Sequence, residues 1–426
     1  MKRSFLFLQG PATPFFARLA DRLATEGHAV HSIHFCAGDA LYWGARSASW
    51  FRGDVGLLRD VLDEHYQRYG ITDQILFGDR RPVHRPAVAH GESCGVRTHV
   101  FEEGYFRPYW VTLEREGVNG HSLLPRDPDW FWEVGARLPE PAQPVAFHSP
   151  FFKRAFHDVA YHVAGLANPL LFPRYRTHAG VTAAVEYAGY LRRFARLRLI
   201  RKREQQRALS IASSGIPYYL LPLQLNTDAQ IRDHSRFTHM GEVIEYVLES
   251  FAHHASPEAK IVIKNHPLDA GLMDYGRIIR DAERRFDLRG RVEYLEDGDL
   301  VALVANARGV VTVNSTVGLV ALEHGRPTLT LSDPIYNLPG LTCQLSLDAF
   351  WQNGVPPERE LFARFRRCVM HATQINGGFY CATGMARRFP CNAKRLWIAS
   401  TPSRSSSSIA RTRTTTARRS HRSTRT

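Results

Sequence analysis

The sequence predicts an α/β fold with two Rossmann-like halves, and three observations lead there. Short apolar runs alternate with helical patterns in the first part of the chain. The same alternation resumes after about residue 210. A long basic segment of helical character lies between the two stretches.

In the first stretch, RSFLFLQG is an apolar run closed by Gly10. It reads as a buried strand ending in the Gln9-Gly10-Pro11 turn, because the run is too short for a secretory signal. PFFARLADRLATEG follows, with Phe16, Leu19 and Leu23 at helical spacing and Gly27 at its end. AVHSIHF is a second strand before the Gly38-Asp39 turn. ILFG, a helix and THVFEEG repeat the β-α-β theme. This half is assigned to residues 1–168.

Residues 169–209 are assigned as a basic helical connector. Arg192, Arg193, Arg196, Arg198, Arg201, Lys202, Arg203 and Arg207 alternate there with Leu191, Phe194, Leu197, Leu199 and Ile200. Two readings stay open: a solvated helix joining two domains, or a basic amphipathic surface resting on anionic lipid.

The second half, residues 210–345, starts with strand IPYYLLPLQ and helix HMGEVIEYVLESFAHHA. Strand AKIVIKNHP follows, then helix DLVALVANARG, strand GVVTVNS, helix TVGLVALEHG ended by Gly325, and strand PTLTLS. Residues 346–385 read as a closing helix that crosses back to the first half. Residues 386–426 are Ser, Thr and Arg of low complexity, too poor in apolar residues to fold, and are expected to be disordered.

Composition narrows the function classes. At 426 residues and 44% hydrophobic content the chain has room for roughly two domains. No window reaches the roughly 18 apolar residues of a membrane span. The six cysteines show no C-x-x-C spacing, so neither a zinc site nor a disulfide scaffold is expected, and a reducing compartment is inferred. The net charge is +14, but eleven of the 55 Lys and Arg lie from Arg387 onward, where there is no acidic residue. About +3 remains for the preceding chain, which argues against nucleic acid as a partner.

Three short constellations sit where strands meet loops, the usual place for ligands in such sheets. Glu102-Glu103-Gly104 follows strand THVF. Neighbouring strand residues point to opposite faces, so one carboxylate can enter a cleft as general acid or base while the other holds the scaffold. A solvated acidic turn is the alternative. His266-Pro267 follows strand KIVIK, with a stiffened turn and an imidazole able to donate to a phosphate oxygen. Asn314-Ser315-Thr316 opens a helix, where free N–H groups suit an anion; ordinary capping is the alternative.

Longer strings narrow the reading. Gln9-Gly10-Pro11, LFGDRRPVHR, VFEEGYFRPYWVTLEREGVNG, LPLQLNTDAQIRDHS, KNHPLD, VNSTVGLVALEHGRP and TQINGGFY together resemble the capsule polysaccharide biosynthesis/export proteins, the β-Kdo transferases of Gram-negative bacteria. The resemblance spans roughly residues 4 to 384 and is most specific at the Glu-Glu-Gly-Tyr-Phe-Arg-Pro string. It ends at Met385, where a basic tail and a shifted reading frame would both give the observed break in composition.

The resemblance implies a GT-B fold with the active site between its halves. It also implies a retaining transfer of Kdo from CMP-Kdo to a (lyso)phosphatidylglycerol, at the cytoplasmic face of the inner membrane and alongside capsule export machinery. Carried over, Glu103 is the general acid/base, supported by Glu102. Asp228 is the candidate nucleophile or cation stabiliser, with Asp233 as its rival. His266, beside Pro267, contacts the CMP phosphate, which Asn314, Ser315 and Thr316 hold. Glu323 is placed at the ribose hydroxyls, and Lys264 and Arg107 at the phosphate or sugar carboxylate. With no cluster of paired carboxylates and His, neither metal nor cofactor is expected, and CMP-Kdo enters as donor substrate. Two other classes remain: a non-enzymatic capsule-export scaffold, and another GT-B-like nucleotide-sugar enzyme such as an epimerase.

Overall fold

The computed structural model describes residues 2–176, 182–226, 235–380 and Met385. Asp228, Asp233 and the Ser/Thr/Arg-rich stretch from residue 386 lie outside the described residues.

The first half contains β1 (Ser4–Phe7), α1 (Phe15–Thr25), β2 (Ala29–His34), α2 (Ala37–Trp43), β3 (Ser49–Trp50), α3 (Leu58–Tyr69) and β4 (Asp73–Phe77). It continues through α4 (His84–Ser93), β5 (Arg97–Glu103), β6 (Trp110–Arg115), α5 (Pro128–Arg137), α6 (Phe151–Gly165) and α7 (Asn168–Leu171). Helix α8 (Ala183–Ser213) leads to the second half. There follow β7 (Tyr218–Pro222), α9 (Met240–His254), β8 (Lys260–Lys264), α10 (Tyr275–Arg285), β9 (Val292–Leu295), α11 (Leu300–Asn306), β10 (Gly309–Thr312), α12 (Val317–Glu323) and β11 (Thr328–Thr330). The chain returns through α13 (Leu347–Asn353), α14 (Arg359–Thr373) and β12 (Gln374–Asn376).

The first sheet runs β12-β6-β5-β4-β1-β2-β3, and the second β11-β10-β7-β8-β9. The second sheet is parallel throughout, whereas β6 and β12 run antiparallel at one edge of the first. Strands β1, β7, β8 and β10 read as near-continuous apolar runs because helices cover both faces of a parallel sheet. In each sheet the winding reverses beside the first strand of its half. β2 lies on one side of β1 and β4 on the other, just as β8 and β10 flank β7. Such reversal points open crevices at the carboxyl ends of the strands. Here those ends carry Gln9-Gly10-Pro11 and Gly78 in the first half, and Gln224, Asn265-His266 and Asn314-Ser315 in the second. Two Rossmann-like halves meeting at such crevices form the expected GT-B-like arrangement.

A shared junction fixes the halves to each other. Tyr105 and Phe131 of the first half pack in one cluster with Leu319, Leu322, Tyr336 and Phe365 of the second half and the returning segment. Hydrogen bonds continue the link. The Tyr105 hydroxyl donates to Glu114 (2.6 Å) and accepts from the Asn119 amide (2.7 Å), and Asn119 Oδ1 accepts from Ile335 N (3.4 Å). Arg126 donates to the carbonyl of Pro334 (2.5 Å). Burial pushes the Glu114 carboxyl up to about 7, against hydrogen bonds from Ser122 and Tyr105 that favour its charged form.

Candidate functional site

The acidic pair is set by the β5–β6 hairpin. Glu102 and Glu103 close β5, and a side chain at Gly104 would run into the Trp110 carbonyl, so only glycine lets β6 turn back so tightly. Glu102 Oε1 accepts from the Glu103 amide (3.0 Å), and its other oxygen lies beside Gly78. Glu103 faces α6, where its Oε1 lies 3.4 Å from Arg154 Nη1 and makes no hydrogen bond. The Arg154 guanidinium sits over the Tyr380 ring, 4.6 Å from its centroid. Glu102 thus supports the turn and Glu103 forms the ion pair, the division of labour that opposite strand faces allow.

The second half brings its two loops to one edge. Pro222 is in register with Lys264, and Leu220 with Val310, so β8 and β10 end at the same level on either side of β7. His266 and Ser315 therefore leave the sheet about two strand spacings, roughly 10 Å, apart. Gln224 ties the β7 end to the second loop: its Nε2 donates to Asn314 Oδ1 (2.9 Å) and its Oε1 accepts from Asn314 N (3.2 Å). The Ser315 hydroxyl accepts from Val317 N (3.2 Å), and the Tyr336 hydroxyl donates to Ser315 O (2.5 Å). Gly318 is required because a Cβ there would collide with the Tyr336 ring. Thr316 is half-buried next to this turn. α12 has only seven residues, and the exposed Glu323 is its last, roughly 9 Å along the axis from the turn. The structure does not bring Glu323 to Ser315.

Arg193 of α8 clamps the His266-Pro267 loop. Its buried guanidinium donates to the carbonyls of His266 (3.1 Å), Pro267 (3.1 Å) and Asp269 (2.6 Å). His266 Nδ1 accepts from Leu268 N (3.1 Å), so the neutral ring carries its proton on Nε2. Burial, reinforced by Arg107, Lys264, Arg193 and Arg154, pushes His266 down to about 4. It is therefore a neutral donor at pH 7, surrounded by cations from both halves. Lys264 is itself buried, and its ammonium donates to Asn265 O (3.3 Å). Burial, with Arg193 adding, lowers its pKa. The exposed Arg107 donates to Gly104 O (3.3 Å). Pro267 is exposed at the loop tip. A cavity of about 550 Å³ is lined by Gly10, Pro11 and Arg154 of the first half and by Leu225 and Leu268 of the second. The site is thus a neutral imidazole and an ion-paired carboxylate among several cations, a setting that favours an anionic ligand.

This arrangement coincides with a family. A family model described as capsule polysaccharide biosynthesis protein matches residues 72–380. The chain belongs to that family. It is 36% identical over 387 residues to the capsule polysaccharide modification protein LipB of Neisseria meningitidis serogroup B, covering 88% of this chain and 91% of that one. It is 34% identical over 386 residues to the capsule polysaccharide export protein KpsS of Escherichia coli, covering 89% and 97%. Among solved structures, the β-Kdo 2,7 transferase of Thermosulfurimonas dismutans KpsC is similar at 14% identity with a TM-score of 0.38, covering 85% of this chain and 99% of that one.

Sequence reasoning missed Arg154, Arg193, Gln224 and Tyr336. None belongs to a motif with its own chemistry, and each acts on residues far away in the chain. The basic segment changes meaning as well. Its helix runs 183–213, and Arg196 and Arg201 pair with Glu296 (2.5 Å) and Asp297 (3.1 Å), while Arg207 reaches Glu293 (3.1 Å). Part of its charge therefore docks the helix on the second half instead of facing outward. Among the described residues, Asp63, His90 and Cys94 bring potential metal ligands within 4.8 Å of one another. They lie between α3 and the end of α4 away from the crevices, and His90 is hydrogen-bonded to Asp63 (2.7 Å) as an ordinary pair. No described helix is long and apolar enough to cross a membrane.

Proposed function

We propose that the chain is a retaining glycosyltransferase that moves β-Kdo from CMP-Kdo to a (lyso)phosphatidylglycerol in capsule assembly. One observation carries this reading: Arg154 of the first half, ion-paired to Glu103, lines the same cavity as Leu268 of the second half's His266 loop. Such a site holds a sugar donor with a phosphate and a carboxylate better than an uncharged ligand. Membership in the capsule family supports the biological setting.

In the proposed reaction the bond between the anomeric carbon and the phosphate oxygen breaks, and its electron pair leaves with CMP. Phosphate is a good leaving group, so it needs electrostatic support more than an acid. His266 donates from Nε2, the Asn314-Ser315-Thr316 turn adds dipoles, and Lys264 and Arg107 supply charge. The carbon gains oxocarbenium character, and Asp228 is proposed to shield it or bond to it, as a carboxylate does in retaining glycosidases. The acceptor hydroxyl oxygen then bonds to that carbon from the face CMP left, and a bond to Asp228, where one has formed, breaks and returns its electron pair to the carboxylate. The hydroxyl proton passes to Glu103, which lies beside Arg154. Glu323, exposed at the helix end, takes no part in this scheme.

We place the protein on the cytoplasmic face of the inner membrane, beside the capsule export machinery. The test is incubation with CMP-Kdo and a fluorescent phosphatidylglycerol analogue, with the product linkage read by NMR. A β-linked Kdo-lipid is expected, with activity surviving chelation of divalent ions. CMP release without lipid product, or an epimerised sugar, would remove the transferase reading.

A further inference from the structure

We infer that the cavity between α6 and α8 binds the hydrocarbon chain of a single-chain anionic lipid, presenting its headgroup to Glu103. This rests on the acceptor reading above and adds where and how the acceptor is held.

The cavity of about 550 Å³ is within the range of about 300–1,000 Å³ usual for a bound organic ligand, and its walls are mainly apolar. Phe151, Val159, Tyr187, Tyr190, Leu191 and Phe194 form its outer walls. Its inner end reaches Arg154 and Tyr380, so the apolar space ends at the ion pair of Glu103. Arg81 lines it as well, giving a second cation for an anionic headgroup. A cavity for a free sugar would be walled with hydroxyls, amides and carboxylates. Asp158 and Glu186 also line this cavity, but they accept hydrogen bonds from the Tyr187 (2.9 Å) and Tyr190 (3.1 Å) hydroxyls within the wall, and the greater part of the lining is apolar, as an amphiphile requires.

The outer end opens to the surface through the same residues. Leu191 is 74% exposed and Phe151 54% exposed although both line the cavity. The apolar surface continues outward along α6 and α7, where Phe156 is 67% and Leu170 87% exposed. A lipid leaving a bilayer could slide along this strip without passing its chain through water. An apolar strip that runs into a cavity ending at the proposed catalytic base fits an entry route with the headgroup leading and the chain trailing along the strip.

The test uses the full chain without donor. Wild-type protein is titrated with lysophosphatidylglycerols of increasing chain length, below their micellar concentrations. Affinity should rise up to about fourfold per methylene (about 0.8 kcal/mol each) until the cavity is full. Ala155→Trp, which fills the cavity, and Leu191→Asp, which charges its mouth at an already exposed position, should each weaken the longest chain at least about tenfold and flatten the series. Thermal melting checks that both variants fold. Affinity indifferent to chain length in the wild type, or an unaltered series in both folded variants, would overturn the inference. Steep chain dependence without any Kdo transfer would leave the cavity standing and remove the transferase reading. Transfer that ignores chain length would do the reverse.

Discussion

The junction behind the crevices and the crevices themselves use the same residue types to opposite ends. At the junction every polar group of the Glu114, Tyr105, Asn119 and Ile335 chain meets a partner, and an apolar cluster from both halves encloses it. In front, Glu103 Oε1 has an ion pair but no hydrogen bond, Lys264 rests on a carbonyl, and His266 is neutral because it is buried and cations crowd it. A satisfied buried network rigidifies. A charge imbalance held in place by such a network favours an anionic ligand. The two regions are joined directly, since Tyr336 belongs to the junction cluster and donates to Ser315 O.

The largest break in this contrast comes from Glu103→Gln. It keeps the shape beside Arg154 but removes the proton acceptor. Transfer to lipid should fall about 10²–10⁴-fold, read as initial rates of product formation. Thermal stability should change little, because Glu103 makes no hydrogen bond that the amide would lose. A variant of near-normal rate would move the base to another residue.

Next comes the pH dependence of stability, where the two regions have opposite signs. Burial raises the Glu114 carboxyl from its ordinary value of 4.5 to about 7. Its contribution is complete below about 4.5 and is lost as pH rises to about 7, at most about 3 kcal/mol. His266 is lowered from 6.5 to about 4, so its contribution is present above 6.5 and is lost as pH falls to about 4. The two windows overlap between about 4.5 and 6.5 with opposite signs, so the contributions largely offset each other in denaturant melts of the wild type. Glu114→Gln should remove the first contribution and uncover a loss of stability as pH falls from 6.5 to about 4. A variant whose melts keep the wild-type pH profile would mean that Glu114 is ionised in the folded protein.

Gly318→Ala is expected to cost about 1–3 kcal/mol, measured in the same melts, because the new methyl meets the Tyr336 ring inside a well-packed cluster. Moving Tyr336 also moves the carbonyl of Ser315, so affinity for CMP should fall together with stability. Loss of stability with intact CMP binding would separate the junction from the phosphate turn.

These particulars show what the sequence could disclose. Strand ends are legible because apolar runs stop at turn residues, so Glu102-Glu103-Gly104, His266-Pro267 and Asn314-Ser315 could be found without coordinates. Alternation gives parallel sheets, but it does not give the strand order that sets His266-Pro267 and Asn314-Ser315 on either side of β7. Arg193 was out of reach: in sequence it is one of eight basic residues, and its carbonyl partners lie some seventy residues on. Arg154 was hidden for the same reason, because nothing local tells an arginine that will meet a carboxylate from one that will face water. Glu323 shows the converse: proximity to a motif in sequence does not bring a side chain to the motif's end of the helix.

The smallest expected effect concerns α8, whose two faces repeat the contrast on one element. Gly189, Arg193, Glu204 and Ala208 are buried against the second half. Lys202 stands nine residues from Arg193, about 180° round the helix, and is exposed together with Arg198 and Arg203. The buried charge is spent on carbonyls and fixes the His266 loop, while the exposed charge can reach an anionic surface near the apolar strip of α6 and α7. Each outward cation should contribute about 1 kcal/mol to binding of vesicles rich in anionic lipid, and salt should screen it. Replacing Arg198, Lys202 and Arg203 by Gln should therefore lower vesicle flotation stepwise at low salt and make little difference at high salt. Arg193→Gln should instead leave flotation largely intact and weaken CMP binding, since it loosens the loop that carries His266. Flotation that tracks Arg193 and ignores Lys202 would mean that the helix meets the membrane by the face seen here against the sheet, and the docked position of α8 would have to change on binding.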